Sequence, residues 1–177
     1  MTARTAIAKT ATLGLAAAIL IAVQVAMSPL PNIELVTLLV ILYTLHFGCN
    51  ALYIIYVFAA VEGLIWGFHI WWIIYLYIWT ILFFAARLFK GSRSPLFWAV
   101  VGAIFGLLFG TLCSIPYFVL GGVAGGLAYI IAGIRFDLTH CAGNFTLILV
   151  LFKPLDLVFS KIKSPGPQDG DSAVPLL

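Results

Sequence analysis

Apolar runs separated by very short polar breaks constrain this chain more than any other feature. From Ala11 to Leu88 the sequence is almost continuously hydrophobic, broken at Ser28–Asn32, at Gly48-Cys-Asn50 and at Trp66-Gly-Phe-His69. Breaks this short leave no room for a soluble domain between the runs. Runs of this length suit helices that satisfy their own backbone in a bilayer. A mean hydropathy of +1.18 and a charged fraction of 8% over 177 residues fit a polytopic membrane protein with one compact helical domain. The basic residues never form a run interleaved with aromatics, so nucleic acid is not an expected partner.

The order of spans follows from the breaks. Arg4 and Lys9 precede a run from Ala11 to Met27 that is too long for a signal peptide, and Gln24-Val-Ala26 is a poor cleavage site. It is expected as a retained first span. Gly14, Ala18, Ala22 and Ala26 recur every four residues on it, a ridge that allows close approach of another helix. Pro29 and Pro31 end this span, and Asn32 is expected to cap the next. Further spans are expected over about 33–47, 51–65, 70–88 and 97–113, the second short for a bilayer and the fifth carrying a Gly102, Gly106, Gly110 ridge. A last helix is expected over about 137–161. The 164–177 segment reads as a disordered cytoplasmic tail after a single 1–163 domain.

Residues 115–133 are apolar enough for a seventh span, but charge argues otherwise. With six spans and both termini inside, eight of the nine basic residues are cytoplasmic and only Arg135 lies outside. A seventh span would move Lys153, Lys161 and Lys163 to the wrong side. The expected architecture is therefore an all-α, six-helix transmembrane bundle with an outer, broken lid or re-entrant hairpin over 115–133.

That topology gathers polar groups at one face. Asn32 and Glu34 start the second helix there, Glu62 and His69 flank the third-to-fourth turn, and Arg135, Asp137, His140 and Asn144 start the last helix. Asp137, His140 and Asn144 are three and four apart, so they form one stripe on a helix. Ionisable groups within the hydrocarbon usually face a cavity. Trp72, Tyr75 and Trp79 share a helical face that could stack on a flat heterocycle. Simpler roles stand beside these: Asp137, Asn32 and Glu34 as helix caps, Arg135 with Asp137 as a solvated pair, and the aromatics and His69 as an interfacial belt. Cys49, Cys113 and Cys141 read as small buried hydrophobes, and no metal-ligand spacing occurs.

Two stretches carry a resemblance. Ser28-Pro-Leu-Pro-Asn-Ile-Glu-Leu-Val-Thr37, followed by a short helix ending at Phe47-Gly48, and Gly133-Ile-Arg-Phe-Asp-Leu-Thr-His-Cys-Ala-Gly-Asn144 resemble the substrate-binding S components of energy-coupling factor (ECF) transporters. The small-residue ridge of the first helix is similar to the AxxxA pattern by which those proteins dock, and the resemblance covers about residues 8 to 160. It implies vitamin uptake in the cell membrane: tight binding at the outer face, association with one coupling membrane subunit and two ATPase subunits, and toppling in the bilayer to release cargo. By position it implies Asn32, Glu34, Trp72, His140 and Asn144 as pocket residues; the residue pattern itself adds Tyr75, Trp79, Arg135 and Asp137 as candidates. Gly14, Ala18 and Ala22 would form the docking surface. Nickel and cobalt S components begin Met-His, whereas this chain begins Met-Thr-Ala-Arg, so an organic cargo is expected, with no cofactor. A GxxxxGK[ST] loop is absent, leaving ATP to the partners. The rival classes are an intramembrane enzyme, with His140 as base and Cys141 or Ser114 as nucleophile, and a structural or channel subunit.

Overall fold

The computed structural model describes residues 3–163, so the tail expected over 164–177 lies outside the described residues. The described chain is all-helical: α1 (Ala3–Met27), α2 (Val36–Phe47), a 3-10 turn (Gly48–Asn50), α3 (Ala51–Trp66), α4 (Ile70–Leu88), α5 (Pro95–Cys113) and α6 (Ile115–Lys163). Five stretches are long and apolar enough to cross a membrane: Ala6–Met27, Val36–Trp66, Ile70–Leu88, Pro95–Cys113 and Ile115–Lys161. The second contains both α2 and α3, divided at Gly48, whose φ of 58° is one that side chains rarely adopt.

Contacts between distant residues give the helix directions. Gln24 near the end of α1 reaches Tyr75 near the start of α4, and His140 of α6 meets Glu34 just before α2. At the opposite end, His46 and Arg93 both meet Asp156 of α6. Successive helices therefore alternate in direction. Helix α2 is the central element: its residues from Val36 to Thr44 are buried without exception, packed against α4 and α6. At about 1.5 Å per residue it spans only about 18 Å, as its length in the sequence suggests.

Helix α5 starts where local chemistry dictates. Ser94 Oγ accepts the Phe97 amide at 3.3 Å, and Pro95, which has no amide to satisfy, takes the first helical turn. Helix α2 starts differently from expectation. Asn32 is not its cap; the Glu34 carboxylate accepts the Thr37 amide at 2.8 Å, and Asn32 instead holds a left-handed turn at φ 58°.

The stretch expected as a broken lid is helical on both sides of a single reversal at Gly122 (φ 64°, ψ −164°). Pro116 does not break it, because it falls in the first turn, where a missing amide costs nothing. The arms 115–121 and 123–163 run back to back, with Tyr117 and Tyr129 stacked at 4.1 Å and Gly126 under the Phe118 ring. This hairpin prolongs α5 and α6 beyond the other helices. Much of it is exposed, including Val119, Leu120, Val123 and Ile131. Of the glycines in this stretch, Gly122 alone has a positive φ; Gly125 and Gly126 make room for the opposite arm.

Candidate functional site

The site is built where α5 lets α6 come close. A Cβ on Gly106 would lie 2.8 Å from the carbonyl carbon of His140, and one on Gly110 would lie 2.5 Å from a carboxylate oxygen of Asp137. The glycine ridge thus abuts the polar stripe, an arrangement the two patterns suggest only when put together. Asp137, His140 and Asn144 face inward from α6, at 8%, 3% and 1% exposure.

Their partners are specific. Asp137 Oδ1 accepts the Gly110 amide at 2.9 Å. His140 Nε2 shares a 3.1 Å hydrogen bond with Glu34 Oε1. Thr37 donates its hydroxyl to that same oxygen, while Asn144 Nδ2 donates to Thr37 Oγ1 at 3.3 Å and to the Gly102 carbonyl at 3.2 Å. One network therefore ties the start of α2 to α5 and α6. Three buried side-chain atoms have no hydrogen-bond partner among the described residues: His140 Nδ1, Trp79 Nε1 and Glu62 Oε1. An orphaned buried donor or acceptor costs about 1–3 kcal/mol, so it marks places where a bound molecule would contribute most.

Two neighbouring cavities adjoin the network. The inner one, about 230 Å³, is walled by Glu34, His140, Tyr75, Trp79, Phe109 and the loop from Ser28 to Ile33. The outer one, about 390 Å³, is lined by Asp137, Gly110, Tyr129, Phe136 and the small residues Ala132 and Gly133. Asn32 and Phe109 belong to both walls. The aromatic walls touch each other: Trp79 lies 5.6 Å from Tyr75 and 6.0 Å from Phe109, and Phe109 packs edge-on to His140 at 4.8 Å.

Comparison of the chain with family models, with curated proteins and with solved structures gives no match. Function has to be argued from the site itself.

The structure brings together Asn32, Glu34, Tyr75, Trp79, Asp137, His140 and Asn144. It does not bring in Trp72, whose indole N–H donates to the Ala59 carbonyl at 2.9 Å and fastens α4 to α3. Trp72 lines a separate surface cavity with Phe68 and His69. Nor does it bring in Arg135, which is exposed with its guanidinium 4.7 Å above the Phe136 ring and makes no ion pair with Asp137. A half-turn separates Arg135 from the inward stripe, and that angle sends it outside. Gly14, Ala18 and Ala22 are all exposed on α1, whose buried face is Ala16, Ala17 and Leu20. Ser114, a candidate nucleophile, donates its hydroxyl to the Thr111 carbonyl at 2.6 Å.

Sequence reasoning missed Thr37, Gln24, Phe109 and Tyr129. Thr37 had no signal, since the familiar helix-start pattern runs the other way, with the threonine first and the carboxylate three residues later. Phe109 and Tyr129 had none, because an aromatic in an apolar run looks the same facing lipid or cavity. Also missed is the cluster at the opposite end, where the Asp156 carboxylate meets His46 Nε2 and Arg93 Nη1, each at 2.7 Å. Among the described residues, no group of three His, Cys, Asp or Glu side chains is placed to hold a metal ion.

Proposed function

We propose that this chain is the substrate-binding S component of an ECF-type importer for a vitamin or vitamin precursor. The observation that carries the proposal is the buried network of Glu34, Thr37, His140 and Asn144 around a cavity of about 230 Å³ in an otherwise apolar helical bundle. Ionisable groups at membrane depth are costly unless paired or turned to a cavity, and this cluster is both paired and beside one. Orphaned atoms on Trp79 and His140 support the same role, as do the aromatic walls.

In this reading the bundle crosses the membrane six times, with α2 and α3 as separate passes and both termini in the cytoplasm. The cavities open outward, and the 115–133 hairpin closes over them as a lid. Gly14, Ala18 and Ala22 form the contact with a coupling membrane subunit, which carries two ATPases; the whole component topples against it to release cargo. The exposure of that ridge supports this contact.

Native mass spectrometry of the gently purified protein tests the reading. A vitamin-sized mass bound to the wild type, together with co-purifying ATPases, is the expected result. His140→Ala loses the small molecule and keeps the partners. Ala18→Trp keeps the small molecule and loses the partners, since a bulky side chain holds the helices apart. A wild-type protein with neither ligand nor ATPases removes the proposal.

A further inference from the structure

The charge around the two cavities narrows the chemistry of the cargo. Each cavity has one carboxylate in its wall, Glu34 in the inner and Asp137 in the outer. Neither cavity is lined by a lysine or arginine. Arg135, the cation closest to Asp137 in sequence, turns away onto Phe136. His140 Nε2 is committed to Glu34. Asp137 Oδ1 holds the Gly110 amide, while Oδ2 has no hydrogen-bond partner among the described residues. Each cavity also has three aromatic side chains in its wall: Tyr75, Trp79 and Phe109 inside, Phe109, Tyr129 and Phe136 outside.

Carboxylates with no lysine or arginine beside them, set among aromatic side chains, suit one class of ligand. An anion would face like charge in a poorly solvated space, which is the arrangement that binding sites use to reject a partner. A neutral molecule would gain no more than a hydrogen bond from Asp137 Oδ2. A cation meets both the carboxylate and the electron-rich ring faces. Asn32 and Phe109 belong to the walls of both cavities, so the two are immediate neighbours.

We infer that the cargo is a two-part organic cation, with an aromatic or heteroaromatic head in the inner cavity and a positively charged group against Asp137 in the outer one. This rests on the binding function proposed above and specifies its substrate class.

The test is equilibrium dialysis of the full chain in lipid nanodiscs against the small-molecule fraction of a cell extract. Retained compounds are identified by mass spectrometry, with His140→Ala as the blank. Asp137→Asn is the diagnostic variant, because an amide oxygen still accepts the Gly110 amide and only the charge is lost. Arg135→Ala is the control. The expected result is a retained heteroaromatic compound bearing a positive charge, whose retention falls at least ten-fold in Asp137→Asn and is unchanged in Arg135→Ala. A retained compound that is neutral or anionic overturns the inference while the binding function stands. So does a cation held equally well by an Asp137→Asn protein with wild-type thermal unfolding. If the wild type retains nothing above the His140→Ala blank, the binding function itself falls.

Discussion

Thr37 is the residue on which most of the site's geometry turns. Its amide and hydroxyl both engage Glu34, and its oxygen accepts from Asn144. Thr37→Val keeps the shape but removes both side-chain bonds, leaving Glu34 and Asn144 short of a partner in a buried place. A loss of about 1–3 kcal/mol in stability is expected, read as a lower unfolding temperature in detergent. The glycines offer a sharper contrast. At Gly106 an added methyl meets the backbone of α6, which cannot swing aside, so Gly106→Ala costs about 1–3 kcal/mol. At Gly14 an added methyl meets nothing within 4 Å, so Gly14→Ala leaves the unfolding temperature of the isolated chain unchanged or slightly higher. Equal effects at the two positions would contradict the packing described.

At the scale of elements, the α5–α6 hairpin depends on Gly122. Its φ and ψ fall in a region that is nearly closed to residues with a side chain, where strain of about 1–3 kcal/mol is normal. Gly122→Val is expected to open the reversal and separate Tyr117 from Tyr129. Cysteines at those two positions (Tyr117→Cys with Tyr129→Cys) should crosslink readily in the parent and slowly when Gly122→Val is added. Much at this scale was legible in the sequence. The bounds of α4 follow from its flanking breaks, and the apolar runs with their charge bias give the order of the helices. The 115–133 stretch was not legible as helix, because five glycines and a proline suggest loose chain. Which glycine needs a special φ depends on contacts with the facing arm that composition does not record. In the site, the spacing of Asp137, His140 and Asn144 was enough to place them together. Trp72 and Tyr75 lie on one turn of one helix, and no pattern in so aromatic a segment says that the first binds a carbonyl of α3 while the second faces the cavity.

For the whole molecule, polar clusters fasten the bundle at both ends. Glu34, Thr37, His140 and Asn144 join α2 to α6 at one end, and His46, Arg93 and Asp156 join the same helices and the α4–α5 loop at the other. The two clusters are separated by the apolar middle of α2, so their contributions to stability should add. Asp156→Asn weakens charge-assisted bonds at a partly exposed group and is expected to lower stability by about 1–2 kcal/mol, without changing small-molecule retention. Combined with Thr37→Val, the two losses should sum; a combined loss well below the sum would mean that one end already loosens the other.

The buried helix α2 is about 18 Å long, while the 123–163 arm that packs beside it extends roughly 60 Å, about twice the hydrocarbon thickness of a bilayer. Helix α2 is buried and shielded from lipid, so the mismatch falls on the long arm alone. The surrounding lipid must thicken against that arm, or the arm must lean, or its end must stand in water. Its angle in the membrane then becomes a quantity set by acyl-chain length, and vesicles of shorter or longer lipids would tune how much of the 115–133 hairpin stands in water.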